Sequence, residues 1–306
     1  MKRFSRVVAV LSLCLVLLLS FASCDALEIF DSWFGDGSSE TGIPVPEGDT
    51  LQIHFLDVGQ ADCTLLTTGK EHILVDTGYV NKGVTNYIIS YLKDMGIKRL
   101  DYLVLTHPDA DHIGGAPEII ENFDVARVLM PDCTKTTSIF ERTVAALENS
   151  DAEVHMAESG TVYTLGSIKM KLLAPNAASY ADTNDYSIAM RVLYGDTAVL
   201  LTGDAERQSE REMLDTYNRG EFSCNLMKAG HHGSSTSNAE ALLSAASPDY
   251  IVISCGADNK YGHPHDEAMA RFEALGVPIY RTDVHGTLVF VSDGETLRLL
   301  RGGGKS

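Results

Sequence analysis

Four apolar runs of strand length in this sequence each stop at a cluster of histidine or aspartate. LDYLVL runs into THPDADHIGG, which holds His107, Asp109, Asp111 and His112. AVLLTG ends at Asp204, NLMKAG at His231 and His232, and YIVISC leads through a short loop to YGHPH, with His263 and His265. Polar groups that recur at strand ends can converge on one rim when the strands lie side by side. The pattern therefore predicts sheets inside, helices outside and one shared polar edge.

Around these runs the periodicity alternates. LQIHFLD, CTLLTT and HILVD are separated by GQAD and GKE, the spacing of antiparallel meander strands. A helix is expected over about 84–95, with Ile88, Ile89, Tyr91, Leu92 and Met95 on one side, and another directly behind Gly114-Gly115. Further helices are expected at about 138–148, 206–217, 239–246 and 267–275, with strands at VARVLMP, MKLLAP, SIAMRVL, TAVLLTG, PIYRT and GTLVFV between them. No break in composition divides 50–301, so this span reads as one α/β domain in two β-then-α halves, followed by a short tail at 302–306.

Residues 1–24 read as a targeting segment rather than as fold. Lys2, Arg3 and Arg6 precede VVAVLSLCLVLLLSFA, and the run ends at Phe21-Ala22-Ser23-Cys24. That tetrad resembles a bacterial lipobox, which makes Cys24 the expected lipid-attachment site and a membrane surface the expected location; plain secretion is the alternative. Residues 25–49, rich in Asp, Ser, Gly, Pro and Glu, read as a flexible tether. Cys63, Cys133, Cys224 and Cys255 are scattered through apolar runs, and are expected as small buried hydrophobes rather than disulfide partners. The net charge of −18 argues against a basic nucleic-acid-binding face, so a phosphodiester would have to be held by metal ions and local groups.

Metal is the chemistry that the crowding in THPDADHIGG suits best, with a solvated turn as the alternative. In extended backbone alternate residues share a side, so His107, Asp109 and Asp111 are expected together and His112 turned elsewhere. That geometry puts His107 and Asp109 on one ion, Asp111 and His112 on a second. Gly114 and Gly115 are expected to start the next helix close by, its first amides toward an anion. Asp204 is a candidate bridge between the ions, or else a helix N-cap. Either His231 or His232 is a candidate ligand; His231, first after its strand, is the one expected, with His232 left to the substrate. Lys228 reads either as a solvated lysine or as a phosphate partner, and His263 and His265 as a general acid, substrate contacts or further ligands. His54, His72, His155 and His285 lack a neighbouring motif residue and are read as structural.

Taken in order, H-x-D-x-D-H-x-G-G, TGD and K-x-x-H-H-G-S resemble the metallo-β-lactamase superfamily, and within it the β-lactamase-like domain of ComEC-type DNA-uptake competence proteins. FLDVGQADCTLL and ILVDTG look like that family's opening hairpin, and NDYSIAMRV, YGHPH and RTDVHGTLVF match its later segments. The resemblance implies an αββα sandwich with a dinuclear centre at the sheet edge and hydrolysis by a metal-activated water. It carries over His107, Asp109, Asp111, His112, Asp204 and His231 as ligands. It places Asp57 and Gln60 along the opening loop, and Asp185 and Ser187 beside the substrate. Two features depart from the pattern. Asp109 stands where many members have histidine, and NDYS occupies the place of a third one; more carboxylate and less imidazole favours Mn²⁺ or Mg²⁺, with Zn²⁺ still in range. Full competence channels also carry many membrane spans, whereas this sequence has one apolar segment of that kind.

The expectation is an exported, lipid-anchored hydrolase that holds two divalent ions, Zn²⁺ or Mn²⁺, and cleaves a phosphodiester as a phosphodiesterase or nuclease. Asp111 would orient the attacking water, with Lys228 and His265 contacting the phosphate or protonating the leaving oxygen. Two alternatives stay open: a hydrolase of a small phosphoester or cell-envelope component, and a non-catalytic, metal-stabilised module of a DNA-uptake apparatus.

Overall fold

The computed structural model describes residues 49–302. The expected signal, the lipid-attachment cysteine, all but the last residue of the tether and the tail from 303 lie outside the described residues. Among the described residues no helix is long and apolar enough to cross a membrane.

The first half opens with a meander, β1 (Leu51–Phe55), β2 (Thr64–Thr67) and β3 (His72–Val75), then crosses through α1 (Lys82–Asp94) and the short β4 (Arg99–Leu100) to β5 (Tyr102–Val104). It continues through α2 (Ala116–Asn122), β6 (Asp124–Val125), β7 (Arg127–Met130) and α3 (Ser138–Glu148) to β8 (Glu153–Met156). The second half repeats the plan. Its meander is β9 (Val162–Leu165), β10 (Ile168–Leu172), β11 (Met190–Tyr194) and β12 (Thr197–Leu201). Then come α4 (Arg207–Thr216), β13 (Leu226–Lys228), α5 (Glu240–Ala246), β14 (Tyr250–Ile253), α6 (Asp266–Glu273) and β15 (Ile279–Arg281). A short α7 (Thr282–His285) leads to β16 (Leu288–Ser292) and β17 (Leu297–Arg301), which return to the first sheet.

Sheet one runs β17-β16-β1-β2-β3-β5-β7-β8, antiparallel as far as β3 and parallel beyond it. Sheet two runs β15-β14-β13-β12-β11-β10-β9, parallel from β15 to β12 and antiparallel beyond. Parallel neighbours need long crossovers, which the helices supply; antiparallel neighbours need only turns. Side-chain caps set the starts of two of those helices: Asn81 accepts the Gly83 N–H ahead of α1, and Thr137 the Phe140 N–H ahead of α3.

β1 and β12 explain the layering. Every residue of LQIHF and TAVLL is buried, the polar Gln52, His54 and Thr197 included, as happens in strands covered on both faces. Leu51, Ile53 and Phe55 share one cluster with Met170, Val192, Val199 and Leu201, between the sheets. Ala198 and Leu200, on the other face of β12, cluster instead with Met213 of α4, Leu242 of α5 and Phe272 of α6. On sheet one His54 turns outward in the same way, its Nδ1 2.7 Å from the Tyr91 hydroxyl of α1. Helix, sheet, sheet, helix is the expected sandwich. Cys63, Cys224 and Cys255 are buried thiols, as expected; Cys133 departs from the expectation, half-exposed in the loop after β7.

Candidate metal centre

Loops leaving β5, β12 and β13 meet at one edge of the sandwich. Asp111, His112, Asp204 and His232 each offer an atom within 4.8 Å of the others', and Asp62, Asp76 and His112 form a second such group.

The loop after β5 folds as consecutive turns rather than as extended chain. The His112 and Ile113 N–H groups both donate to the Asp109 carbonyl, at 3.0 Å each, so the expected two-residue alternation does not hold. His107 and His112, expected on different sides, have ring centroids 4.1 Å apart. Asp109, expected beside His107, forms an ion pair with Lys135 instead. Nor do the glycines aim amides at an anion: Gly114 N–H donates to the Gly78 carbonyl at 2.9 Å and Gly115 N–H to the Thr77 hydroxyl at 3.2 Å. Packing is what requires Gly114, since a Cβ there would lie 2.3 Å from the Tyr79 and Val80 backbone.

The donor atoms of the cluster point inward without partners. Nε2 of His107, His112 and His232 and Oδ1 of Asp204 are buried and lack a hydrogen-bond partner among the described residues. An orphaned buried polar atom costs about 1–3 kcal/mol, and divalent cations satisfy imidazole lone pairs and a carboxylate together. The residues behind orient each ring. His112 Nδ1 donates to Asp76 Oδ2 at 2.8 Å, and Asp76 also accepts the Thr106 N–H at 2.8 Å and the Thr106 hydroxyl at 2.7 Å. His232 Nδ1 lies 3.0 Å from the Ser254 carbonyl and 3.3 Å from Asp62 Oδ1. His107 Nδ1 lies 3.3 Å from the Ser187 hydroxyl oxygen, which accepts the Asp204 N–H at 3.0 Å. A ring held through Nδ1 presents Nε2 as a lone-pair donor, as a metal-binding histidine must.

Sequence order favours His231 over its neighbour, but the fold sets His232 in the four-donor cluster. Both residues are left-handed, with φ of 48° and 52°, a conformation costing about 1–2 kcal/mol for a residue with a Cβ. His232 Nε2 lies 3.4 Å from Asp111 and 3.5 Å from Asp204. His231 is less buried, its Nε2 3.7 Å from Asp204 and its Nδ1 3.2 Å from Glu206. The strained pair is braced from behind. The Asn238 side chain accepts the Gly230 N–H at 2.8 Å and donates to the Gly230 carbonyl at 2.9 Å. The Glu210 carboxylate accepts the Asn238 and Ala239 N–H groups at 2.5 and 2.9 Å.

The other expected residues take mixed positions. Lys228 is 3% exposed with Nζ 2.6 Å from Asp62, so it neutralises a buried carboxylate rather than reaching out to a phosphate. Asp185 accepts the Glu206 and Ser209 N–H groups at 3.0 and 3.1 Å and thereby caps α4. His265, expected as an acid, has both ring nitrogens engaged, Nδ1 by the Ser235 N–H at 3.0 Å and Nε2 by the Tyr261 carbonyl at 3.1 Å. Gln60 bridges loops, with Nε2 3.3 Å from His263 Nδ1 and Oε1 accepting the Gly256 N–H at 3.0 Å. Asp57 accepts the Gly59 N–H at 3.4 Å within the opening loop. Asp62, Asp76, Glu206 and Glu210 were not among the expected residues; the first two stand inside FLDVGQAD and ILVDTG, where each reads as a turn aspartate.

Burial penalises every charge here, and pairing decides the outcome. Asp204 and Asp111 are held below the usual carboxylate range despite burial, Asp204 by His112 and His232, Asp111 by His232 and His112. Burial works against a charged His232 too, but Asp204 and Asp62 outweigh it and push the ring up to about 10. Burial and then His112 push His107 down to about 3. The carboxylates therefore favour positive charge at His112 and His232, while His107 is kept as a neutral lone-pair donor.

The chain carries a domain of the metallo-beta-lactamase superfamily: residues 56–134, which include the whole loop after β5, match that family. Its relatives are ComEC-type competence proteins, the relationship expected from the motifs. Competence protein ComA of Neisseria gonorrhoeae is 32% identical over 248 residues, covering 80% of this chain and 33% of that protein. ComE operon protein 3 of Bacillus subtilis is 27% identical over 259 residues, covering 78% of this chain and 33% of that protein. The chain thus spans about a third of the length of these relatives. Among solved structures, the metallo-beta-lactamase fold protein YhfI from Bacillus subtilis matches with a TM-score of 0.55 at 13% identity, over 80% of this chain and 100% of that one, a likeness of fold.

Proposed function

We propose that this chain is a dinuclear metal-dependent hydrolase acting on a phosphodiester, anchored at a membrane surface. The observation that carries the reading is the convergence of unpartnered, buried imidazole nitrogens and a carboxylate oxygen at one edge. His107, Asp111, His112, Asp204 and His232 would hold the ions, with Asp204 shared and His231 beside it; Asp109 stays with Lys135. Zn²⁺ or Mn²⁺ bound there would supply Lewis acidity and lower the pKa of water.

The chain's own residues do the rest. Asp111, whose side chain at 26% exposure is the open member of the cluster, is kept ionised and placed to accept a proton from the attacking water. His231 is raised by Glu206 and Asp204 against the pull of burial, and it would be the group beside the ions that protonates a leaving oxygen. Asp76, Asp62 and Ser187 hold the rings so that no reorganisation is required during the reaction. A set with carboxylates among its imidazoles suits harder ions than an all-imidazole set does, and harder ions bind phosphate oxygens well. Export and lipid attachment at Cys24 belong to the same proposal and rest on the sequence of residues 1–24.

The test is turnover of bis-p-nitrophenyl phosphate and single-stranded DNA by protein loaded with Zn²⁺ or Mn²⁺. Turnover is expected to vanish with chelator and in Asp111→Ala. No metal-dependent turnover on either substrate would sink the enzyme reading. Metal binding without turnover would favour the second one, a metal-stabilised module of an uptake apparatus, which the competence relatives support.

A further inference from the structure

Beside Asp111 the site opens into a groove of about 610 Å³ lined by Tyr79, Lys135, Asn259, Lys260 and Tyr261. Near-parallel rings lead from the cluster of donors to this groove. His263 lies over His232 with centroids 6.1 Å apart and planes at 29°, and Tyr261 lies over His263 at 5.7 Å and 22°. The ladder is built rather than incidental. Gln60 holds His263 from one side. The Asn259 side chain donates to the His263 carbonyl at 2.6 Å and accepts the His263 and Tyr261 N–H groups at 3.0 and 3.2 Å. Tyr261 is still 53% exposed, and the Lys260 ammonium lies 4.8 Å from its ring centre.

We propose that the groove is a nucleobase subsite, in which a base stacks on Tyr261 as the next rung and its phosphate is thereby brought toward Asp111. Lys260 faces the flanking phosphate, while Lys135 keeps its pairing with Asp109. The inference rests on the phosphodiester reading and narrows it to single-stranded nucleic acid. A π-face accepts any unstacked base, and the ammonium of Lys260, which lies over the Tyr261 ring on a flexible stem, would move from the ring to the phosphate as the base arrives. A duplex keeps its bases stacked on one another, and a saturated phosphoester has nothing to stack. The net charge of −18 opposes a duplex more than a single strand, because stacking supplies affinity that a duplex-binding face draws from a basic stripe.

The experiment compares binding of two hexamers by the full, Zn²⁺-loaded chain, using fluorescence anisotropy. One is a phosphorothioate hexathymidylate, chosen to slow cleavage; the other has the same backbone without bases. The base-bearing hexamer is expected to bind about tenfold tighter, an advantage lost in Tyr261→Ala and kept in Tyr261→Phe. Equal binding of the two hexamers by the wild type, or an advantage that survives Tyr261→Ala, overturns the subsite. Wild-type turnover of bis-p-nitrophenyl phosphate judges the hydrolase reading separately, so either can fail alone.

Discussion

In the first half of the sandwich a single loop after β5 carries His107, Asp111 and His112 on ordinary turns. In the second half the donors come from separate strand ends, Asp204 after β12 and His232 after β13, and His232 stands on left-handed backbone that Asn238 and Glu210 brace. One half assembles its donors locally; the other depends on residues whose only visible task is to hold a strained turn. Fragility should follow that division, and the joint between the halves should be the most sensitive point of all.

That joint is the Lys228–Asp62 pair, one residue from each half. Lys228→Met removes the nearest cation from the buried Asp62 carboxylate, leaving it the His232 and His112 rings, and is expected to cost about 3 kcal/mol in urea unfolding. A Lys228→Met protein of normal stability with weakened substrate binding would restore the phosphate-partner role instead. Within the first-half loop, His112→Ala is expected to lower metal content and turnover by more than about 100-fold, since even supporting residues cost about 10–100-fold. Asp109→Ala should stay within about tenfold of wild type, because a half-exposed ion pair away from the donor cluster carries little; equal losses in the two variants would make Asp109 a ligand after all.

The second-half brace is probed by Asn238→Ala, expected to cost about 2 kcal/mol through lost hydrogen bonds and a left-handed φ of 63°. Metal affinity should fall with it; a stable variant with unchanged affinity would mean that the strained turn holds itself. The smallest effect is a pH dependence. Burial pushes Glu210 up to about 7 against the Ala239 and Asn238 N–H groups that favour its charge. The folded value lies above the ordinary 4.5, so this contribution to stability is full below pH 4.5 and is lost as pH rises toward 7. Glu210→Gln should lie within about 1 kcal/mol of wild type at pH 5 and flatten the decline between pH 4.5 and 7. Unfolding midpoints across that range decide it, and an unaltered slope would acquit Glu210.

What the sequence made legible follows the same division. The layers and the loop after β5 were readable because strand runs and HPDADHIGG are local patterns. β9 and β17 were not: both lie at sheet edges, and VYTL of β9 alternates between exposed and half-exposed residues instead of forming an apolar run. α7 is a single turn inside RTDVHG, which reads as loop. The choice between His231 and His232 depends on backbone angles that adjacency in sequence does not encode. Asp76 and His112 are 36 positions apart, so their pairing is a product of topology. Lys228 illustrates the limit best, since a lysine one strand-end away from a metal motif reads as a phosphate contact until its burial is known.

The main chain laces the first-half site together. Asp62 N–H donates to the Asp111 carbonyl at 3.1 Å, Thr77 N–H to His112 at 2.6 Å, Gly78 N–H to Asp62 at 2.8 Å and Gly114 N–H to Gly78 at 2.9 Å. Three segments distant in sequence are thus sewn by main-chain stitches, which dictate no side chain except where Gly78 and Gly114 leave no room for a Cβ. Such a seam leaves the residues that face the groove free to change without cutting the frame beneath. Novelty in specificity can then arise at the lip without renegotiating the foundation.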